Sequence, residues 1–158
     1  MKKEIIRDYA TEALICYYKL GCPSEDEHRE KIRAEIARRF SLHEPEYIYK
    51  REEREIYLNR ALLADIAAAH KTMQMLRGEL PMDGFDVDHA RKRGAEIADA
   101  VQAVYFGLHR EKQRSRRIIG RVVAYSVDHG VSERTVYNYL KLARRLFAYN
   151  RGLSFDFD

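Results

Sequence analysis

The chain has 158 residues, 46% hydrophobic and 34% charged, with a formal net charge of +4, which suffices for one domain with a sizeable core or for two small helical units. Gly and Pro are scarce, Glu, Arg, Ala, Leu and Lys are plentiful, and no long stretch alternates apolar and polar residues, which excludes a sheet-rich fold and leaves an all-α chain of about six helices. No apolar run is long enough to span a bilayer and Met1 to Asp8 lacks the apolar core of a secretory signal, so a cytoplasmic protein without a membrane partner is expected.

The first helix is expected from about Glu4 to Leu20, with Ile5, Ile6, Tyr9, Ala13, Cys16 and Tyr17 on one face and a stop at Gly21, Pro23 lying just beyond. Ser24-Glu25-Asp26-Glu27 then reads as a capping box, with acidic groups where the helix dipole favours them. The helix it opens carries Ile32, Ile36 and Phe40 and ends near Ser41. Pro45 suits the first turn of a third helix running to Arg77, whose residues 50 to 55 are wholly charged and bury little. From Ile56 onward the helix turns apolar, and Leu62, Ile66, Ala69, Met73 and Leu76 recur at alternating steps of four and three, the seam of a packed helix pair. Core packing is the first reading of that stripe and an oligomer seam the second.

Gly78 to Val87 contains Pro81 and Gly84 and reads as a linker, after which Asp88 caps a fourth helix that turns Ile97, Val101, Val104, Tyr105 and Leu108 inward. Residues 109 to 114 form a charged connection, and Ser115 caps a fifth helix containing Ile118, Ile119, Val122, Val123 and Tyr125. The division that follows is an N-terminal helical bundle over 1–80, a C-terminal region over 88–151 and a tail over 152–158, where Phe155 and Phe157 alternate with acidic residues. The halves either share one core or the bundle carries a separate head.

Catalytic and metal chemistry find little support. Cys16 and Cys22 read as reduced thiols, Cys16 as a small core residue. His28, His43, His70, His89, His109 and His129 are scattered, with no pair at the spacing of a helix-borne zinc site. Asp83, Asp86 and Asp88 lack a calcium loop, because Gly94 stands where the distal carboxylate belongs. There is no phosphate-cradling glycine loop, no nucleophile elbow and no thiol with an obvious base, so neither a cofactor nor an enzyme is expected. A nuclease would need clustered carboxylates in the basic region, where only Asp128 and Glu133 stand.

The informative segment is Gly130 to Leu140. Gly130 can take the positive φ that closes a helix, Val131 packs inward and Ser132 caps a sixth helix through its hydroxyl. Val136, Tyr139, Leu140, Ala143, Leu146 and Phe147 fall on one face of that helix, and Ser132, Glu133, Arg134, Tyr137, Asn138 and Lys141 on the other. A helix buried on one side, with polar, planar and cationic groups near its start, is what a major groove of double-stranded DNA accepts. Tyr137 can meet a thymine methyl and Asn138 can pair with adenine. Residues 109 to 151 carry eleven Lys/Arg against three acidic residues, whereas residues 1 to 108 are net acidic, so the basic surplus coincides with the motif. Arg114, Arg116, Arg117, Arg121, Lys141, Arg144 and Arg145 are the candidates for the phosphate backbone.

Residues 97 to 151, most specifically Val131-Ser132-Glu133-Arg134-Thr135-Val136 with Leu140 and Ala143-Arg144-Arg145-Leu146, resemble the carboxy-terminal DNA-binding region of sigma factors, region four. They are similar above all to small sigma-like helix-turn-helix proteins of phages and mobile elements of Gram-positive bacteria. The resemblance implies sequence-specific DNA binding and transcription regulation, with Glu133, Arg134, Tyr137 and Asn138 on base-reading positions, Arg144 and Arg145 flanking the backbone, and RNA polymerase as a further partner; Ser132, on the same face, is counted with the base-reading residues. A homodimer would widen the contact, since a lone recognition helix touches few base pairs. The competing reading is a protein-interaction or packaging adaptor whose helix-turn-helix is structural.

Overall fold

The computed structural model describes residues 2–82, 88–106 and 114–153, the side chains of 88–91 and 114–116 excepted. Among the described residues there are seven α-helices and no strand: α1 (Lys3–Lys19), α2 (Glu25–Arg39), α3 (Pro45–Leu58), α4 (Arg60–Leu76), α5 (Asp88–Tyr105), α6 (Arg114–His129) and α7 (Glu133–Arg151). The expectations for Asp83, Asp86, Leu108, the 109–113 connection and the 154–158 tail lie outside the described residues, as do the side chains of Asp88 and Ser115. α6 opens at Arg114, which puts Ser115 inside its first turn and not at its cap.

The helix expected from Pro45 to Arg77 is two helices. Asn59 leaves helical geometry at φ −98° and ψ 14°, and its side-chain amide donates to the Glu55 carbonyl at 2.8 Å. Its backbone N–H divides between the carbonyls of Glu55 and Ile56 at 3.1 and 3.2 Å. An Asn side chain that competes for the i−4 carbonyl disfavours a continuing helix, and a hydrophobic period carried straight across the break does not register it.

One buried cluster joins residues of α1, α4, α5, α6 and α7, among them Leu14, Met73, Val101, Val122 and Phe147. The two halves of the chain therefore share a core. α7 lies at its centre, packed against α1, α4, α5 and α6, because its apolar face is broad enough to serve all four. Ala69, Met73 and Leu76 of the four-and-three stripe belong to this cluster and Ile66 is buried as well, so these positions are intramolecular core, while Leu62 is half-buried. α2 and α3 stand outside the cluster, packing on each other and on α4, with Ile36 and Ile56 buried between.

Two faces differ from expectation. α1 buries Ile6, Ala10, Ala13, Leu14, Ile15, Tyr17 and Tyr18 because it meets α4, α5 and α7 together, leaving Ile5 and Tyr9 exposed. The Tyr9 hydroxyl instead donates to Asp65 Oδ1 at 2.6 Å, the oxygen that also accepts from Arg151 Nε at 2.8 Å. On α2 only Ile36 and His28 are buried, Ile32 and Phe40 being half-covered. The Ser24 cap forms as expected, its hydroxyl accepting from the Glu27 N–H at 3.1 Å.

α5 reaches α4 through a kink. Arg93 is non-helical (φ −123°, ψ 19°), and at Gly94 an added Cβ would run into the Leu76 carbonyl at the end of α4. Only glycine permits so close a backbone approach.

Candidate nucleic-acid interface

The candidate interface is built on three helices in mutual contact, α5, α6 and α7. α6 ends at His129 and the chain reverses through Gly130, whose φ of +64° lies in the left-handed region. The Val131 N–H returns to the Ser126 carbonyl at 3.2 Å, and the Ser126 hydroxyl donates to the Val131 carbonyl at 2.5 Å. Val131 is partly buried against the core, which fixes the angle at which the chain enters α7. Ser132 then caps α7, its hydroxyl accepting from the Thr135 N–H at 3.1 Å and lying 2.9 Å from Thr135 Oγ1.

Two carboxylates brace this unit from α5. Tyr139, buried on α7, donates to Glu96 Oε2 at 2.9 Å. Tyr125 of α6 donates to Asp99 Oδ2 at 3.2 Å, and His129 Nε2 sits 3.4 Å from the same oxygen, with its ring stacked on Tyr125. Burial, reinforced by the Asp99 carboxylate, pushes the Tyr125 phenol up to about 12, so it stays a neutral donor over the physiological range.

Against that frame, Val136, Tyr139, Leu140, Ala143, Leu146 and Phe147 are all buried, as their spacing demands. Ser132, Glu133, Arg134, Tyr137, Asn138 and Lys141 are exposed on the opposite side. Arg134 has no ion-pair partner among the described residues, leaving its guanidinium available to an acceptor pair from outside. Ser132 differs from its neighbours: its hydroxyl is committed to the cap.

The cationic candidates separate into groups. Lys141 is exposed, while Arg117, Arg121, Arg144 and Arg145 are half-buried. Arg121 donates to the carbonyls of Phe106 and, at 3.3 Å, Ala103, so it caps the end of α5. Arg144 donates to the Tyr105 hydroxyl at 3.1 Å. The side chains of Arg114 and Arg116 lie outside the described residues. Sequence reasoning missed Lys3 and Arg7 of α1, which line one groove with Lys141, Arg144 and Arg145. A Lys-Lys-x-x-x-Arg start is visible in the sequence, but nothing in it says that α1 packs beside the middle of α7.

Among the described residues no group of three or more His, Cys, Asp or Glu is placed to hold a metal ion. Cys16 and Cys22 are both free, and burial pushes both thiols up, away from the thiolate that nucleophilic chemistry needs. Among the described residues no helix is long and apolar enough to cross a membrane. On α6, Ile119, Val123 and Val127, at successive i+4 positions, are 55%, 40% and 75% exposed.

No protein-family model, curated protein or solved structure matches the chain.

Proposed function

We propose that the chain is a sequence-specific DNA-binding transcription regulator in which the first turns of α7 enter the major groove. The observation that carries this reading is the exposure of Glu133, Arg134, Tyr137, Asn138 and Lys141 on one side of a helix whose other side is core, entered by a glycine turn from α6. Arg134 supplies a fork of donors suited to guanine, Asn138 an amide suited to adenine and Tyr137 a ring suited to a thymine methyl or sugar. Glu133 can accept from the exocyclic amine of cytosine. Ser132 sets the helix start, so the reading moves it from base contact to positioning. Lys141, Arg144 and Arg145 lie farther along the helix, where phosphates flank a groove-bound helix, and fix register without reading sequence.

The regulatory role and RNA polymerase as partner come from the sigma-like resemblance of residues 97 to 151. A homodimer is part of the same proposal, because paired recognition helices span half-sites about 34 Å apart.

A titration of the full chain against a labelled duplex over a salt series tests the reading. The expected log affinity falls against log salt with a slope of roughly −0.9 for each phosphate neutralised. Affinity no better than that of an acidic protein of similar size at low salt would contradict it. The adaptor alternative has one observation in its favour, the uncovered apolar strip of α6, and it predicts that second outcome.

A further inference from the structure

The groove between α1 and α7 has a volume of about 440 Å³ and is lined by Lys3, Arg7, Lys141, Arg144 and Arg145 against a single carboxylate, Glu4. Ile6 and Ala10, both buried, line it as well. Five cations are thus brought together from helices more than a hundred residues apart in the chain, and among the described residues Glu4 is the one acidic residue that lines the groove. Arg7 carries an exposed ion pair with Asp8 at 3.2 Å, and a pair that open to solvent exchanges readily for a stronger anion.

The position of the groove connects it to the exposed side of α7. Lys141 belongs to both: it follows Tyr137 and Asn138 at i+4 and i+3 on the open face, and it lines the groove. From Arg134 to Arg145 the helix rises about 16 Å at 1.5 Å per residue, so a nucleic-acid strand followed along that face leaves the base-reading turns and arrives at the groove. Successive phosphates are the anions such a path delivers, at more than one position at once, which is what a row of five cations matches.

We infer that α1 is part of the DNA-binding surface: Lys3 and Arg7 form, with Lys141, Arg144 and Arg145, a clamp for the phosphodiester backbone of a duplex whose bases are read by the start of α7. The inference rests on the proposed DNA-binding reading and extends it to a helix outside the helix-turn-helix. The clamp is indifferent to sequence. It makes the N-terminal helix a contributor to affinity and leaves preference to Arg134 and its neighbours.

The test compares wild type, Lys3→Gln/Arg7→Gln and Arg134→Ala, all full-length, on a labelled duplex of random sequence over a salt series and on a duplex selected by the wild type. Thermal unfolding of each variant is measured alongside, and an unchanged midpoint is expected because Lys3, Arg7 and Arg134 are exposed. The double variant is expected to bind both duplexes more weakly by the same factor, about tenfold near physiological salt, with its salt slope shallower by roughly 1.8 for two phosphates lost. Arg134→Ala is expected to lose its preference for the selected duplex and keep the slope within about one phosphate. If wild type binds and Arg134→Ala loses preference while the double variant keeps both affinity and slope, the clamp is overturned and the DNA reading stands. If wild type binds neither duplex, both fall. A double variant that loses affinity for a single-stranded oligonucleotide of equal charge but not for the duplexes would also overturn the clamp.

Discussion

His28 shows how one side chain couples the fold to pH. It is a polar residue buried on α2, 8% exposed, and burial, with Lys31 adding to it, lowers its pKa below the ordinary imidazole value. An imidazole that is harder to protonate in the folded chain than in the unfolded one contributes stability above its unfolded value of about 6.5, and that contribution is lost as pH falls through the lower folded value. The midpoint of thermal unfolding is therefore expected to drop as the buffer is taken below about 6.5, and His28→Gln should flatten that part of the pH profile. A profile of the same shape in both proteins would show that His28 does not carry the effect. The local roles of Ser24 and Ser132 were legible in the sequence, because a cap depends on residues within one turn. Arg121 was not: a cation in a basic run looks like any other until the end of α5 is brought to it.

Between elements, α5 approaches the end of α4 closely at Gly94. Gly94 meets the Leu76 carbonyl with no room for a methyl group, and the partner atom is backbone, which cannot swing away. Gly94→Ala is expected to cost about 1–3 kcal/mol, the usual range for overpacking a tight contact, measured as a lower midpoint in denaturant with an unchanged slope. An alanine variant as stable as wild type would mean that α4 and α5 can separate without penalty. Gly94 was visible in the sequence only as a residue unsuited to a calcium loop; a close approach between residues eighteen apart in the chain leaves no local trace. The break at Asn59 was hidden for a different reason: the apolar period of α4 begins in α3, at Ile56, and a helix can stop and restart without shifting it. The periodicity is clearest in α5 and α7, and the faces it predicts are the buried ones at every described position, from Ile97 to Tyr105 and from Val136 to Phe147. α1 was read with its face turned, because three helices pack around it and a helix buried on so wide an arc has no single stripe.

At the scale of the molecule, the shared core decides how the chain can be divided. α7 packs on α1 and α4 as well as on α5 and α6, and Phe147 lies beside Tyr9 of α1 with ring centroids 6.5 Å apart. Residues 88–151 expressed alone would expose that side of α7. The fragment is expected to lose cooperative unfolding and near-ultraviolet dichroism while keeping some helix; a fragment melting as sharply as the full chain would show that the C-terminal region is an independent unit. The sequence left both arrangements open, since a linker between residues 78 and 87 is compatible with either. The candidate interface was legible to the extent that it is contiguous, from Gly130 to Arg145, and illegible where Lys3 and Arg7 join it from the other end of the chain.

Base choice by the outward side of α7 is read out by enrichment of bound duplexes from a random pool, run in parallel with wild type and Arg134→Ala. Wild type is expected to return a defined motif, and the variant the same motif relaxed at one position, with a loss there of roughly 1–3 kcal/mol of discrimination. Pools that stay random with wild type, or identical motifs from both proteins, would contradict it.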